Sequence, residues 1–247
     1  MINLQQQGFK ALAIALVLTA AATAASAQTC APEARFVYVS SEGESTEEIT
    51  DNFAGSAPVE ATFTANATDY DGYSVRYEWR IFQSDDTTNV LVHRFDEQIE
   101  YTFVKNGTFT VELKATFQSD NDLVEYSSSE EGTSITVTIY ESRLEMPNAF
   151  SPGDDDDYNR IYKAKSNHQS IVKFHATIFN RWGQKLYSWD DVNGGWDGKV
   201  NGRVVRNGVY FINVTAQGAD GRTYHIRKDV NVLTKYTQEQ NSTSGTE

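Results

Sequence analysis

Four consecutive carboxylates, Asp154 through Asp157, followed closely by Asn159, are the densest set of hard oxygen ligands in the chain. Adjacent carboxylates repel one another, and a divalent cation held through oxygens relieves that repulsion. Alternate side chains of a loop reach a common centre, so Asp154, Asp156 and Asn159 are the candidate calcium ligands. Ca²⁺ tolerates such irregular geometry better than Mg²⁺. The glycine and terminal glutamate of an EF-hand are absent, and a solvated acidic turn is the competing reading.

Other chemistry finds little support. The chain has no His-Glu-x-x-His, no Gly-x-Ser-x-Gly and no phosphate-binding loop of the Walker type. His93, His168, His175 and His225 fall in different segments, with His175 and His225 at outward strand positions. Cys30 is placed in a flexible N-terminal stretch, which argues against a catalytic thiol. Carboxylates are numerous, but no pair is singled out as a glycosidase acid and base. The expectation is a protein that is not an enzyme. Tyr187, Trp189 and Trp196 are the rings to watch for a sugar-stacking platform, which would make the chain a secreted carbohydrate-binding accessory protein. Two coplanar exposed rings would support that reading and buried tryptophans would defeat it.

The elements that must position these residues are strands. Val59, Ala61, Phe63 and Ala65 alternate with polar residues, as do Val75, Tyr77, Trp79 and Ile81. Phe109, Val111, Leu113, Ala115 and Phe117 form a third such run, and Ile135, Val137 and Ile139 a fourth. Trp79 is the expected central aromatic. Asp69-Tyr70-Asp71-Gly72 and Ser119-Asp120-Asn121-Asp122 supply turns between them. A second alternating set contains Val172, Phe174, Ala176 and Ile178, then Tyr210, Ile212, Val214 and Ala216, then Tyr224, Ile226, Val230 and Val232. Gln217 to Gly221 joins the last two runs as a hairpin. The predicted fold class is all-β, two tandem immunoglobulin-like antiparallel β-sandwich domains after a signal peptide.

Residues 1–27 read as that signal: Lys10 precedes an apolar run from Ala11 through Ala22, and Ala25-Ser26-Ala27 is a small-x-small cleavage pattern. The run is too short for an ordinary membrane span, and no transmembrane span is expected in the mature chain. A single cysteine allows no internal disulfide, so both domains depend on their cores. The expected divisions are 31–142 for the first domain, 146–236 for the second and 237–247 for a disordered polar tail. The short link from Glu141 to Glu145 leaves the domains little free swing. The formal net charge of −13 speaks against nucleic acid and anionic lipid as partners.

Two groups of motifs carry family resemblances. Gly55-Ser56-Ala57-Pro58, Tyr77-Glu78-Trp79, Tyr101-Thr102-Phe103 and Gly107-Thr108-Phe109-Thr110-Val111 occur in order, and the first domain resembles a PKD domain, an immunoglobulin-like module of bacterial surface proteins. The second group is Pro147-Asn148-Ala149-Phe150-Ser151-Pro152, Ile178-Phe179-Asn180-Arg181-Trp182-Gly183, Trp196-Asp197-Gly198 and Asn207-Gly208-Val209-Tyr210. With these, the second domain resembles the gliding-motility-associated C-terminal domain, the type B sorting module of the type IX secretion system of Bacteroidetes. Gly153-Asp154-Asp155-Asp156-Asp157 replaces the family's usual Asn-Gly-Asp-Gly-type loop, and residues continue past Lys235 where members commonly end.

Pro147, Asn148, Phe150, Asn180, Arg181, Trp182, Gly183, Trp196, Asp197, Gly198, Gly208 and Tyr210 read mainly as a folding signature. Large aromatics bury and turn glycines supply backbone freedom. Trp182 and Trp196 should pack near loops where the indole nitrogen finds a carbonyl, and Arg181 should stack on one of them or pair with Asp197. The resemblance implies an exported protein at the outer-membrane-associated cell surface or outside the cell. Its second domain would dock on an outer-membrane β-barrel protein or another secretion-system component. Its first would be a spacer or binding module of a structural component or adhesin, with surface polysaccharide as a further candidate partner.

Overall fold

The computed structural model describes residues 28–152 and 157–233, apart from the side chains of residues 157 and 158. The expected signal and tail lie outside the described residues, as do Asp154 and Asp156. Of the calcium set only Asn159 is described. It is exposed, and its carbonyl accepts the Ser151 amide at 2.8 Å.

The N-terminal half comprises β1 (Thr29–Cys30), β2 (Glu33–Val39), β3 (Ser45–Ile49), β4 (Asn52–Gly55), β5 (Val59–Thr64) and β6 (Ala67–Thr68). It continues with β7 (Ser74–Gln83), β8 (Asp86–Arg94), β9 (Gln98–Phe103), β10 (Gly107–Gln118), β11 (Leu123–Ser127), the one-turn helix α1 (Ser128–Glu131) and β12 (Ile135–Ile139). One sheet has the order β3-β2-β5-β9, the other β4-β12-β10-β7-β8 with β11 also on β10. Both contribute to one core, in which Phe63 of the first sheet meets Trp79 of the second at 6.1 Å between ring centroids. Trp79 is fully buried and its indole nitrogen donates to the Asp96 carbonyl at 3.1 Å. Cys30 pairs with Ala67 and belongs to this core, so it does not lie in a flexible terminus as expected from the sequence. Burial, with Glu97 nearby, pushes its thiol up to about 11.

The C-terminal half comprises β13 (Ala149–Phe150), α2 (Asp157–Arg160), β14 (Tyr162–Lys163), β15 (Ile171–Phe179), β16 (Lys185–Trp189) and β17 (Gly195–Trp196). It ends with β18 (Lys199–Val200), β19 (Arg203–Val204), β20 (Gly208–Gly218) and β21 (Thr223–Val232). Its main sheet runs β13-β21-β20-β15-β16, and the facing layer is made by the short ladders β14/β17 and β18/β19. Trp196 and Tyr162 of those ladders fill one core with Phe174, Ile178, Ile212 and Val230 of the sheet.

The two halves are joined by structure as well as by chain. Ser142 is buried, and both its amide and its hydroxyl donate to the Asp220 carboxylate, at 3.1 and 2.7 Å. Burial acts to raise the Asp220 carboxyl, but the Ser142 hydroxyl and the Arg222 and Ser142 amides outweigh it, leaving it below the ordinary range. Leu144 enters the second core, while Ala219 and Val172 of the second half pack on the first. The Ala57 amide donates to Ser170 Oγ at 3.2 Å. A segment held at both ends in this way is a bracket, not a hinge.

Candidate docking surface

Of the family-motif residues in the second half, Phe150, Trp196 and Gly198 are buried, and Pro147, Asn180, Asp197 and Tyr210 are partly buried. Phe150 packs on Tyr162 and Trp196, at 5.5 and 5.4 Å between centroids, and Trp196 meets Tyr210 edge-on at 5.7 Å. Trp196 is fully buried and donates its indole N–H to the Lys199 carbonyl at 3.0 Å, as its amphipathic ring requires. The Pro147 carbonyl accepts from the Tyr162 hydroxyl at 2.8 Å, and the Asn148 carbonyl accepts from the Asn231 amide at 2.9 Å. Gly198 adopts φ of 75°, and a Cβ there would collide with Pro152. Asp197 closes a turn by accepting the Lys199 amide at 3.0 Å and pairing with its ammonium at 3.1 Å. Arg181 therefore does not take Asp197 as its partner.

The Asn180–Gly183 segment divides differently. Asn180 Oδ1 accepts the amides of both Trp182 and Gln184 at 3.0 Å, and its carbonyl accepts the Gly183 amide. Gly183 takes φ of 79°, which completes the reversal between β15 and β16. Asn180 and Gly183 thus make the turn, and Arg181 and Trp182 are what it presents. Trp182 is 77% exposed, with the Arg181 guanidinium 4.7 Å above its ring. The sequence reading of Trp182 as a packed residue is corrected here: the turn tip projects beyond the edge of the core, so its side chain has no interior to enter.

Beside this tip, Asn207-Gly208 opens β20. The Tyr210 hydroxyl donates to the Arg206 carbonyl at 2.9 Å and so pins the loop that carries Arg206. Burial raises the Tyr210 hydroxyl, against the opposing pull of the Arg181 and Arg206 guanidiniums, which places both cations near it. Arg181, Trp182, Arg203, Arg206, Tyr210 and Phe211 line a cleft of about 770 Å³, with Val204, Val209 and Phe211 exposed along it. Among the described residues, no acidic one lines it. Among the described residues, no carboxylate pairs with any of the three guanidiniums.

Chain-wide charge concealed this surface. Residues 28–142 hold 6 basic and 22 acidic side chains, a net −16, whereas residues 143–233 hold 13 basic and 10 acidic, a net +3. Counting by domain shows that the excess of acid belongs to the first half alone.

The remaining candidates are dispersed. His93 bonds Glu78 at 2.9 Å, His168 bonds Asn193 at 3.0 Å and His175 bonds Asp190 at 2.6 Å, each in a different place. Burial, then Lys163, lowers the His168 imidazole. Among the described residues no three His, Cys, Asp or Glu side chains converge on a metal-sized centre. Trp189 and Trp196 are 7% and 0% exposed, so the expected sugar platform on those rings is absent. Tyr187 is exposed, and its neighbouring ring is the buried Trp189. A second cleft, of about 400 Å³, lies between the halves and is lined by Tyr38, Tyr140, Arg143, His168 and Asn193 among others. Among the described residues neither of these two clefts is lined by a carboxylate, whereas two others, of about 460 and 620 Å³, include Asp229 and Asp220 respectively.

Residues 52–138 match the PKD domain, and residues 144–227 match the CHU_C type IX secretion signal domain. No curated protein matches the chain. Among solved structures it is similar to the Bacteroides ovatus mixed-linkage glucan utilization locus protein SGBP-B in complex with a mixed-linkage heptasaccharide, at 14% identity and a TM-score of 0.22. It is also similar to dimeric latent PorU from Porphyromonas gingivalis, at 13% and 0.23, and to DIP-gamma IG1+IG2, at 10% and 0.23. These matches cover 74%, 74% and 75% of the chain and 42%, 19% and 93% of those structures, so the chain spans less than half the length of the first two. Likeness this distant does not extend to function. The family matches fall on the two cores in the order in which the motifs occur, and the chain therefore carries a PKD domain followed by a CHU_C type IX secretion signal domain.

Proposed function

We propose that this is an exported, non-catalytic cell-surface protein whose C-terminal domain docks on an outer-membrane β-barrel protein or another component of the secretion system. The PKD domain serves as its spacer or binding module, in a structural component or adhesin. The observation that carries the docking role is the division within the family motifs: the core-forming members are buried, while Arg181 and Trp182 are held out on a turn beside the arginine-lined cleft. A protein has no folding reason to hold out a tryptophan next to guanidiniums that no described carboxylate pairs, and such residues are the usual anchors of protein interfaces. The firm bracket between the domains suits a spacer, because it fixes the direction in which one domain projects from the other.

The test is affinity capture of the tagged protein from detergent-solubilised outer membranes of its own cells, with mass-spectrometric identification. Stoichiometric recovery of an outer-membrane barrel protein is the expected result. Recovery of the chain alone, with the protein free in the medium, would defeat the docking role.

A further inference from the structure

Resting on the docking role proposed above, we infer that the cleft of Arg181, Trp182, Arg203 and Arg206 receives an acidic protein segment whose carboxylates are interleaved with apolar side chains. Three observations carry this. First, Arg181, Arg203 and Arg206 line one cleft with no acidic residue among those described. A guanidinium presents a planar fork of donors that matches a carboxylate, and three that pair with no described carboxylate form a ready-made receptor for carboxylates. Second, the floor and rim are apolar and aromatic: Trp182, Tyr210, Val204, Val209 and Phe211. A site for a small inorganic anion needs none of these, and about 770 Å³ far exceeds one. Third, tryptophan, tyrosine and arginine together are the composition of protein-interface anchors, which favours a peptide over a polysaccharide.

The geometry also fixes an order of importance. Arg203 and Arg206 are exposed and contribute charge. Trp182, stacked under Arg181, contributes apolar area and orients that guanidinium. Gly183 and Asn180 act only through the turn that presents the pair. Tyr210 positions Arg206 through the Arg206 carbonyl.

Trp182 offers a direct readout, because the other three tryptophans are buried and it alone meets solvent. The probe is a ten-residue peptide alternating aspartate with leucine, and the control replaces each aspartate by asparagine. Both are added to the full mature chain while acrylamide quenching of tryptophan fluorescence is recorded. The acidic peptide is expected to shield Trp182 at low salt and to lose at least tenfold in affinity on Arg203→Glu/Arg206→Glu. The asparagine peptide is expected to shield it at least tenfold more weakly. Trp182→Phe supplies the background of the buried tryptophans, and thermal unfolding shows whether each variant is folded.

Equal shielding by both peptides, or none at millimolar acidic peptide, would overturn the inference. So would shielding by a polyuronate chain without shielding by the peptide, which would reassign the cleft to an acidic polysaccharide. Concentration-dependent shielding of the protein by itself would make a second copy the occupant. The docking role fails separately: capture of a barrel protein by the Arg203→Glu/Arg206→Glu variant as well as by wild type would leave docking standing and move it off this cleft. Peptide shielding with no barrel captured would do the reverse.

Discussion

Two tryptophans from adjacent family motifs have opposite fates. Trp196 loses all contact with solvent and donates its only N–H to the Lys199 carbonyl, whereas Trp182 stands in water on a turn. Trp196→Ala should therefore cost about 3–5 kcal/mol, the range for emptying a buried aromatic site. Trp182→Ala should stay within about 0.5 kcal/mol of wild type, as for a surface change. Urea denaturation of the two variants checks both, and a large loss on Trp182→Ala would contradict the division between core and display. Cys30 gives a second test at this scale. With its thiol buried in the first core and raised to about 11, it should resist a thiol-specific reagent at pH 8 in the native protein and react fully in denaturant. Prompt native reaction would show that β1 does not hold its place on β6.

At the scale of elements, strands with one buried face were legible and the others were not. Phe109 to Phe117 on β10 and Val59 to Phe63 on β5 alternate because one side of each meets the core. In β8 only Val92 is buried, and in β3 nothing is; both lie at sheet edges. Without a buried face there is no period to read, so neither strand is among the alternating runs of the sequence. The turns and the bracket between the domains behave as elements too. Gly198→Ala should destabilise by more than about 1 kcal/mol, since it adds a Cβ at φ of 75° against Pro152, and thermal unfolding would show it.

The bracket should respond to acid. The folded-state value of Asp220 is depressed, so its contribution is complete above the unfolded carboxylate value of about 4 and disappears as pH falls through the lower folded value. Hydrogen exchange at Ser142 should therefore be slow at neutral pH and speed up below about pH 4 relative to the cores of both domains. Asp220→Ala should remove the protection at neutral pH, because it leaves the Ser142 amide and hydroxyl without their acceptor. Exchange at Ser142 that does not respond to the substitution would mean that the packing of Leu144 and Ala219 holds the domains by itself.

For the whole molecule, the decisive feature is a separation of charge: an acidic PKD domain and a slightly basic secretion signal domain joined without a hinge. The motif order made the domain plan and most of the core readable, since Phe150, Trp196, Gly198 and Tyr210 carry packing or backbone demands that show in residue type alone. The docking surface was hidden for two reasons. Trp182 looks like a core residue until the turn that lifts it is seen, and Arg203 and Arg206 lie outside every motif, joining Arg181 only when the chain folds. The net charge of −13, read as evidence against nucleic acid and anionic lipid, averages two unlike domains.

The docking claim is tested most directly by a photo-crosslinking amino acid placed at position 182 in living cells, with a second probe at position 123. Leu123, 56% exposed, is an open site on the PKD domain. The account predicts a discrete crosslink to an outer-membrane protein from position 182, lost on Arg203→Glu/Arg206→Glu, and none to that protein from position 123. Equal crosslinking from both positions, or none from position 182 in a protein that still reaches the cell surface, would contradict it.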